Sequence, residues 1–212
     1  MQQHSPLDRL IINFDHGLRT VLGRPLTTER PNPAKDYPEP ELNEKETRLV
    51  VGLMRINHAG EVSAQALYQG QSLTAHTEKI RETMKKSAIE ENDHLVWCEQ
   101  RVEELGGHVS YLNPFWYQGS FIIGAMAGMV GDKYSLGFVA ETEKQVIKHL
   151  DDHLQKLPVQ DEKSRMILEQ MREDEAHHAT VALDHGAIDL PKPVQLLMTA
   201  MSKVMTKTAF WV

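Results

Sequence analysis

Two Glu-x-x-His pairs, each with a single glutamate upstream, constrain the fold of this chain more than any other feature. The pairs lie at residues 91–94 and 175–178, and the upstream acids, Glu61 and Glu143, precede them by 30 and 32 residues. Such a gap holds the rest of one helix, a turn and part of the next helix. Four carboxylates and two imidazoles from four helices are a ligand set for two iron or manganese ions in a bundle core. The pattern therefore predicts a dinuclear metal site.

The length and charge of the chain limit its class. With 212 residues, the chain is long enough for one domain with a sizeable core. Its formal net charge of −7 argues against a general nucleic-acid binder, which needs a basic face. The single cysteine, Cys98, cannot form an internal disulfide, which favours a reducing compartment. Because Asp8, Arg9 and Asp15 interrupt the first apolar stretch, no signal peptide is expected.

Apolar residues recur at helical spacing along most of the chain, and no segment shows the alternation typical of a strand. Long helices are predicted at about 44–73, 77–105, 132–157 and 160–185. Asn43 and Glu46 form a capping-box pattern before the first of these helices. Gly106 and Gly186 follow the second and the fourth. The predicted fold class is all-α.

The order of a lone glutamate and then a Glu-x-x-His pair occurs twice, which indicates two similar helix hairpins. A long connection at about 106–131 joins the hairpins, and one long crossover is typical of a ferritin-like four-helix bundle. We divide the chain into an N-terminal amphipathic helix with a Pro-rich linker (1–42), the bundle (43–190) and a C-terminal amphipathic segment (191–212).

Three segments outside the bundle helices are apolar or amphipathic. The N-terminal stripe consists of Leu7, Leu10, Ile11, Phe14, Leu18, Val21 and Leu22. In the apolar stretch 115–131, Gly124 and Gly128 suit either close backbone packing or a lipid interface. Lys203 and Lys207 border an apolar stripe in the C-terminal segment. Docking on a membrane surface and ordinary packing are both open for the two later segments.

The helical spacing explains why these residues suit a metal. A Glu and a His three positions apart lie on one helix face, so both can reach one metal centre. The candidates also fall inside apolar stripes, where an unpaired charge is unfavourable. Two divalent ions would balance four carboxylates, and imidazole suits iron, although ligand type alone does not separate iron from manganese. The six candidate ligands are Glu61, Glu91, His94, Glu143, Glu175 and His178.

Neighbouring residues offer alternative registers. Asp174 and His177 also have the i, i+3 spacing, and Glu141 competes with the acid at position 143. We prefer positions 143, 175 and 178 because they continue the apolar stripes of their helices. Glu90 and Asp93 lie about 100° around the helix from the ligand pair.

Two further polar residues are candidates for contacting the ligands without binding metal. They are His149, one of two histidines spaced four apart on the third bundle helix, and Tyr68. A surface position for His149 and a core position for Tyr68 are the alternatives. Cys98 is interpreted as a small core residue.

Several of these motifs resemble the signature of the demethoxyubiquinone hydroxylase family. The similar stretches are 57–61 (Asn-His-Ala-Gly-Glu), 68–71 (Tyr-Gln-Gly-Gln), 91–94, 175–178 and 183–185 (Leu-Asp-His). The resemblance covers roughly residues 45–190 and implies a ferritin-like fold with a carboxylate-bridged di-iron centre. It implies the same six ligands, with Glu91 and Glu175 as the bridging pair, and places His149 close to the centre. It assigns no role to residues 1–42.

The resemblance also implies a reaction. A di-iron monooxygenase would use O2 to hydroxylate the quinol ring of 3-demethoxyubiquinol (2-polyprenyl-3-methyl-6-methoxybenzoquinol) in ubiquinone biosynthesis. Because its polyprenyl substrate resides in a bilayer, we expect a peripheral protein on the cytoplasmic face of the bacterial cell membrane. The chain lacks a Gly-x-Gly-x-x-Gly turn after a strand, so the electrons must come from an external donor or arrive directly at the quinone pocket. A homo-oligomer and a complex with other enzymes of ubiquinone synthesis are both open.

Two other functions would use the same features. A ferritin-like protein that handles iron or scavenges peroxide would need the same six ligands, but the apolar stretch 115–131 argues against it. A non-catalytic membrane adaptor would leave the acids exposed and bind no iron.

Overall fold

This computed structural model describes residues 6–22 and 25–212. Those ranges contain seven α-helices and no strand. They are α1 (Pro6–Leu22), α2 (Glu44–Thr74), α3 (Glu78–Glu104), α4 (Asn113–Val130), α5 (Asp132–Lys156), α6 (Glu162–Asp184) and α7 (Lys192–Ala209). The predicted bundle helices correspond to α2, α3, α5 and α6, with ends within two residues of those expected. The side chains of Leu7 and Leu10 in the predicted N-terminal stripe, and residues 1–5, 23 and 24, lie outside the description.

Local signals in the sequence set the helix ends. Asn43 Oδ1 accepts hydrogen bonds from the backbone amides of Lys45 and Glu46, both at 3.0 Å. The Glu46 carboxylate accepts from the Asn43 amide at 2.9 Å, which completes the predicted capping box. Gly106 and Gly186 follow the ends of α3 and α6 with φ angles of 71° and 93°, a conformation that favours glycine. These predicted starts and stops are confirmed.

The four long helices form a bundle with an apolar interior. α2 packs on α3 and α5 packs on α6, and contacts of α3 with α6 and of α2 with α5 join the two hairpins. One apolar cluster includes Met54, Cys98, Leu150 and Met171, and a second includes Tyr68, Met84, Val139 and Ala182. On each helix the candidate metal ligands lie between these two clusters, so the stripes predicted from the sequence do face the interior.

The long crossover contains α4, which packs along α2 at very short range. A Cβ atom added to Gly124 would lie 2.3 Å from the carbonyl oxygen of Leu67, so only glycine permits this approach of the two backbones. Of the two alternatives left open by the sequence, close backbone packing is the one found at Gly124. Ile122 and Met126, two positions to either side of Gly124, are exposed instead. No described helix has the length and apolarity needed to cross a bilayer.

Residues 25–42, which we call the N-terminal strap, form no regular helix or strand but are bonded to the bundle. Asn32 Nδ2 donates to Gln100 Oε1 on α3 at 2.9 Å. Arg101 on α3 donates to the Glu39 carboxylate at 2.8 Å. The strap therefore runs over α3 and does not hang free between α1 and the bundle.

Candidate metal centre

Side chains from α2, α3 and α6 meet between the two apolar clusters. Glu61, Glu91, His94 and Glu175 are buried, and a ligand atom from each lies within 4.8 Å of the others. His94 Nδ1 is 3.6 Å from a Glu61 oxygen and 3.2 Å from an oxygen of Glu91 and of Glu175. Four of the six candidate ligands are therefore gathered around one position.

The other two candidates lie beside the same carboxylates. His178 Nδ1 is 3.1 Å from Glu91 Oε1 and 3.4 Å from Glu175 Oε2. The buried Glu143 carboxylate on α5 accepts a hydrogen bond from the Tyr68 hydroxyl and interacts with the Glu175 side chain. Glu91 and Glu175 each contact both histidines, so they occupy the middle of the cluster, where a bridging carboxylate would lie.

The Nε2 atom of each histidine is hydrogen-bonded to a carboxylate from the opposite helix. His94 Nε2 on α3 lies 2.8 Å from Asp174 Oδ2 on α6, and His178 Nε2 on α6 lies 2.7 Å from Glu90 Oε2 on α3. A carboxylate that accepts the Nε2 proton orients the ring and leaves the other nitrogen for a metal. Asp174 and Glu90 therefore point both Nδ1 atoms towards the interior.

The N-terminal strap holds one of these outer acids. Arg30 donates to Asp174 at 2.8 Å through Nη2 and to Asp93 at 2.9 Å through Nε. Asp93 is buried and also accepts from the Thr28 backbone amide at 2.9 Å. The Arg30 guanidinium lies over the Trp97 ring, 5.0 Å from its centroid, a favourable cation–π position. One arginine therefore connects the strap with both α3 and α6 at the outer edge of the site.

Burial and neighbouring negative charges both raise the pKa values of carboxyl groups in the cluster. Burial raises the pKa of Glu61 well above its ordinary value, and the charges of Glu91 and Glu175 add to this shift, although a bond with His94 opposes it. Burial also raises the pKa of Glu143, again with contributions from Glu175 and Glu91. A cation bound among these groups would favour their ionised forms, so the site gains most from a ligand of high positive charge.

The surrounding acids and burial shift the pKa values of the two histidines in opposite directions. Burial lowers the pKa of His94, but bonds with Asp174 and Glu175 outweigh it and raise the pKa well above its ordinary value. Burial opposes the bonds of His178 with Glu175 and Glu90 in the same way, and the pKa of His178 is also raised. Since a histidine binds metal only as the neutral ring, metal binding here releases protons and is favoured as the pH rises.

Two buried carboxylate oxygens and the donor set fit a pair of cations. Glu91 Oε1 and Glu143 Oε2 accept no hydrogen bond from the described residues, and Glu91 Oε1 has only its 3.1 Å ion-pair contact with His178 Nδ1. A buried acceptor in that condition is unfavourable by about 1–3 kcal/mol. Two single-Glu helices and two Glu-x-x-His helices are also the arrangement of ferritin-like dinuclear proteins. The site is therefore suited to metal binding.

The residues of the alternative registers lie around this cluster. His177 is exposed, and half-buried Glu141 accepts from Gln145 at 2.7 Å. Asp174 contacts the outer nitrogen of His94 and not Nδ1. Glu143, Glu175 and His178, the residues of the preferred register, lie in the cluster, and their assignment as ligands stays a prediction.

Tyr68 contacts the cluster, whereas His149 contacts α7. Tyr68 is buried, donates to Glu143 and packs edge-on against His178, with ring centroids 6.4 Å apart. His149 is half-buried, and its Nε2 lies 3.0 Å from Ser202 Oγ. That contact joins α5 to α7. Among the described contacts, none links His149 to the candidate ligands, so the position close to the centre expected for His149 lacks direct support.

Helical spacing in the sequence does not identify the residues that surround the candidate ligands. Glu90 and Asp174 fall off the ligand face of their helices, and their one signal is that each immediately precedes a candidate ligand glutamate. Arg30 gives no signal, because it lies 63 residues from Asp93 and 144 from Asp174. Only the tertiary fold brings it to these acids.

Known proteins are similar to this chain over nearly all of its length. The family model described as "Ubiquinone biosynthesis protein COQ7" matches residues 48–209. The 3-demethoxyubiquinol 3-hydroxylase of Nitrosococcus oceani is 64% identical over 208 residues, which cover 98% of this chain and 97% of that protein. The protein of the same name from Nitrosomonas europaea is 57% identical over 206 residues (97% and 99%), and that of Acinetobacter baumannii is 54% identical over 211 residues (100% of both).

A solved structure supports the fold. The bacterioferritin-related thioferritin of Bacteroides fragilis superimposes with a TM-score of 0.56 and 15% identity, over 74% of this chain and 90% of that one. At this identity the likeness concerns the fold alone, and the predicted ferritin-like bundle is confirmed.

Proposed function

The chain belongs to the ubiquinone biosynthesis protein COQ7 family, and from this premise we propose that it is a 3-demethoxyubiquinol 3-hydroxylase. The observation that carries the proposal is the buried Glu/His cluster in a chain so similar to proteins of that name. In the reaction a ring C–H bond of the quinol becomes C–OH. One atom of O2 enters the ring and the other leaves as water, while an external donor supplies two electrons and the medium two protons.

We propose that two iron ions bind in the cluster. The six ligands would be Glu61, Glu91, His94, Glu143, Glu175 and His178. A bound iron pair supplies the redox chemistry that activates O2. The chain orients the histidines through Asp174 and Glu90, holds Glu143 through Tyr68, and keeps bulk water away with the apolar clusters on both sides.

A product assay with iron analysis tests this function. Full-length protein loaded with iron, given a short-tail demethoxyquinol, O2 and a reductant, should form the hydroxylated ring and hold about two irons per chain. Treatment with a chelator should stop the reaction, and added ferrous iron should restore it. Iron-loaded protein that removes peroxide but leaves the quinol unchanged would favour an iron-handling or peroxide-scavenging function. Protein that binds no iron would favour the adaptor function.

We also propose that the protein docks on the cytoplasmic face of the bacterial cell membrane. The support is a set of large apolar side chains, each more than 40% exposed, on three helices. They are Ile11, Phe14, Leu18 and Leu22 on α1, Phe115, Ile122, Met126, Met129 and Val130 on α4, and Leu196, Leu197, Met201 and Val204 on α7. Exposed apolar side chains that gather on neighbouring helices mark an interaction surface, unlike apolar residues scattered singly.

These three helices are neighbours. Tyr117 on α4 lies against Gly17 of α1, and Trp116 on α4 packs in one cluster with Met205 of α7. Arg19 and Lys203 are exposed near the apolar residues of α1 and α7, which suits an interfacial helix over anionic lipid. A polyprenyl quinol dissolved in the bilayer would then meet the protein at this layer.

Vesicle binding tests the membrane proposal. Leu197→Asp should lower the fraction of protein that sediments with phosphatidylglycerol vesicles by roughly tenfold, because burial of a leucine side chain is worth about 1.5–3 kcal/mol. Val159→Asp is the matched control, because Val159 is 84% exposed but lies in the turn between α5 and α6. Equal loss of binding in both variants, or none in Leu197→Asp, would contradict docking through α7.

A further inference from the structure

The two histidines of the candidate metal centre differ in how firmly their outer carboxylates are held. Asp174 Oδ2, which bonds to His94 Nε2, also accepts from Arg30 Nη2 at 2.8 Å. The other oxygen, Oδ1, accepts from Gln170 Nε2 at 3.1 Å. The Asp174 side chain is 18% exposed, and these two bonds keep it from turning towards water. The carboxylate that orients His94 is therefore itself fixed.

Glu90, which takes the corresponding place beside His178, has a looser support. Besides its contact with His178, it forms a described ion pair with Lys86, whose Nζ lies 3.8 Å from Glu90 Oε1. The Lys86 side chain is 77% exposed, and exposed pairs of this kind on one helix contribute little. The two halves of the site therefore differ in their outer support.

Arg30 can fix Asp174 because the arginine is itself held in one orientation. Its Nε donates to Asp93 at 2.9 Å, and its guanidinium lies over the Trp97 ring, 5.0 Å from the centroid. Asp93 is 1% exposed and directly precedes His94 on α3. Because the donors of a guanidinium lie in one rigid plane, bonds through Nε and Nη2 set the position of Asp174 on α6 relative to Asp93 on α3.

The backbone of the N-terminal strap adopts a rare conformation where it meets these acids. Glu29 has a φ angle of 63°, in the left-handed region that few residues other than glycine adopt. It lies between Thr28, whose backbone amide donates to Asp93, and Arg30, whose side chain donates to the same acid. Such conformations persist where surrounding contacts fix them, and they cluster at functional sites. The shape of the strap therefore agrees with a role at this edge of the metal centre.

We propose that Arg30 is a positioning residue for the metal centre, which acts through Asp174 on the His94 ring and gives the metal position beside His94 the higher affinity. The inference rests on the proposed function, because it takes the cluster to bind a pair of iron ions. A ring that is already held in its ligating orientation loses less conformational freedom when the metal binds. The strap, to which the family resemblance assigns no role, is then part of the metal site.

Equilibrium dialysis of ferrous iron without O2 measures metal binding separately from turnover. Full-length metal-free wild-type protein should bind about two ions in two steps, with Kd values about tenfold apart. Arg30→Met should weaken the tighter step about tenfold, the lower end of the effect of losing a group that orients a ligand, and change the weaker step by less than about twofold. Lys86→Met is the matched control, because it removes the cation beside Glu90, and it should change both Kd values by less than about twofold.

Two further backgrounds separate action through Asp174 from a general disturbance of the fold. In Asp174→Ala, the addition of Arg30→Met should weaken iron binding by less than about twofold, because the carboxylate through which the arginine acts is already gone. In Glu90→Ala, the addition of Arg30→Met should still weaken the tighter step about tenfold. Equal weakening in the two backgrounds would mean that Arg30 acts through the fold or its charge alone, and it would overturn the assignment.

A paired variant covers the case in which Arg30→Met fails to fold, since that change leaves the buried Asp93 carboxylate without its guanidinium. Arg30→Met combined with Asp93→Asn removes both charges and keeps an acceptor for the Thr28 amide, and it should weaken the tighter step by the same factor of about ten.

The outcomes for Arg30 and for the proposed function can be told apart. If the wild-type protein binds iron and hydroxylates the quinol while both Arg30 variants bind iron as tightly, the inference is overturned and the proposed function stands. If the Arg30 variants lose affinity as expected but the iron-loaded wild-type protein never hydroxylates the quinol, the hydroxylase function is overturned and the inference stands. Wild-type protein that binds no iron would overturn both.

Discussion

Replacement of His178 by alanine should lower the iron content from about two ions per chain to one or fewer and slow hydroxylation by more than about 100-fold. The expectation follows from its position: His178 Nδ1 contacts Glu91 and Glu175, the two carboxylates at the middle of the cluster. Loss of groups that merely orient a ligand costs about 10–100-fold in metal affinity or activity, so loss of a ligand itself should cost more. Iron per chain and the initial rate with a short-tail demethoxyquinol are the measurements.

The adjacent residue provides the control. His177→Ala makes the same chemical change one position away, at an exposed side chain, so iron content and rate should stay within about twofold of wild type. Thermal unfolding of both metal-free variants checks that each is folded. Loss of iron in His177→Ala with retention in His178→Ala would show that the cluster binds metal in the other register, and equal retention would remove His178 from the ligand set.

The bundle is predictable from the sequence because the apolar stripe, the glutamate within it and the helix-capping signal all indicate the same helix and the same buried face. The stripe on α2 passes through Met54, Glu61 and Tyr68, and the structure buries all three. A glutamate at such a position is informative because burial of an unpaired charge is unfavourable, so a partner must exist. The capping box at Asn43 fixes where that helix begins and with it the register of the stripe.

The outer part of the site is not predictable in the same way. Hydrogen bonds between His94 and Asp174 and between His178 and Glu90 cross between helices over 80 and 88 residues of sequence. Helical periodicity specifies which side of its own helix a residue occupies, but not which residue of another helix faces it. Those pairings depend on the relative height of α3 and α6, which only the packed bundle sets.

The role of the N-terminal region shows the same limit. Its prolines and low apolar content indicate an extended segment, and residues 25–42 form no regular helix or strand, with one turn at 33–36. Composition does not reveal that Arg30 reaches Asp174 or that the Leu26 carbonyl accepts a hydrogen bond from Asn92 on α3. Polar contacts of single residues over such distances leave no periodic trace, so a segment without helical pattern can still build part of a site.

Near the C-terminal end of α3, Arg101→Met should lower the free energy of unfolding by about 3–5 kcal/mol, the usual effect of removing one partner from a buried ion pair. Arg101 is 1% exposed and donates to Asp161 Oδ1 at 3.0 Å and to Ser164 Oγ at 2.9 Å. Asp161 is fully buried, and its second oxygen, Oδ2, has no hydrogen-bond partner among the described residues. The variant would therefore leave a buried carboxylate without its cation.

The loss should be visible in both denaturant and thermal unfolding. For a chain of this length, 1 kcal/mol corresponds to about 2–4 °C, so the midpoint should fall by roughly 10 °C. Arg48→Met is the matched control, because Arg48 pairs with Glu44 at the surface, with both side chains more than 80% exposed, and such pairs contribute about 0–1 kcal/mol. Asp161 also accepts from the Ser164 amide in the first turn of α6, so the pair joins the end of α3 to the start of the helix that carries Glu175 and His178. Equal unfolding midpoints for the two variants would mean that apolar packing alone holds the α3–α6 junction. The alignment of the two Glu-x-x-His helices, and with it the metal site, would then depend on the core clusters and not on this ion pair.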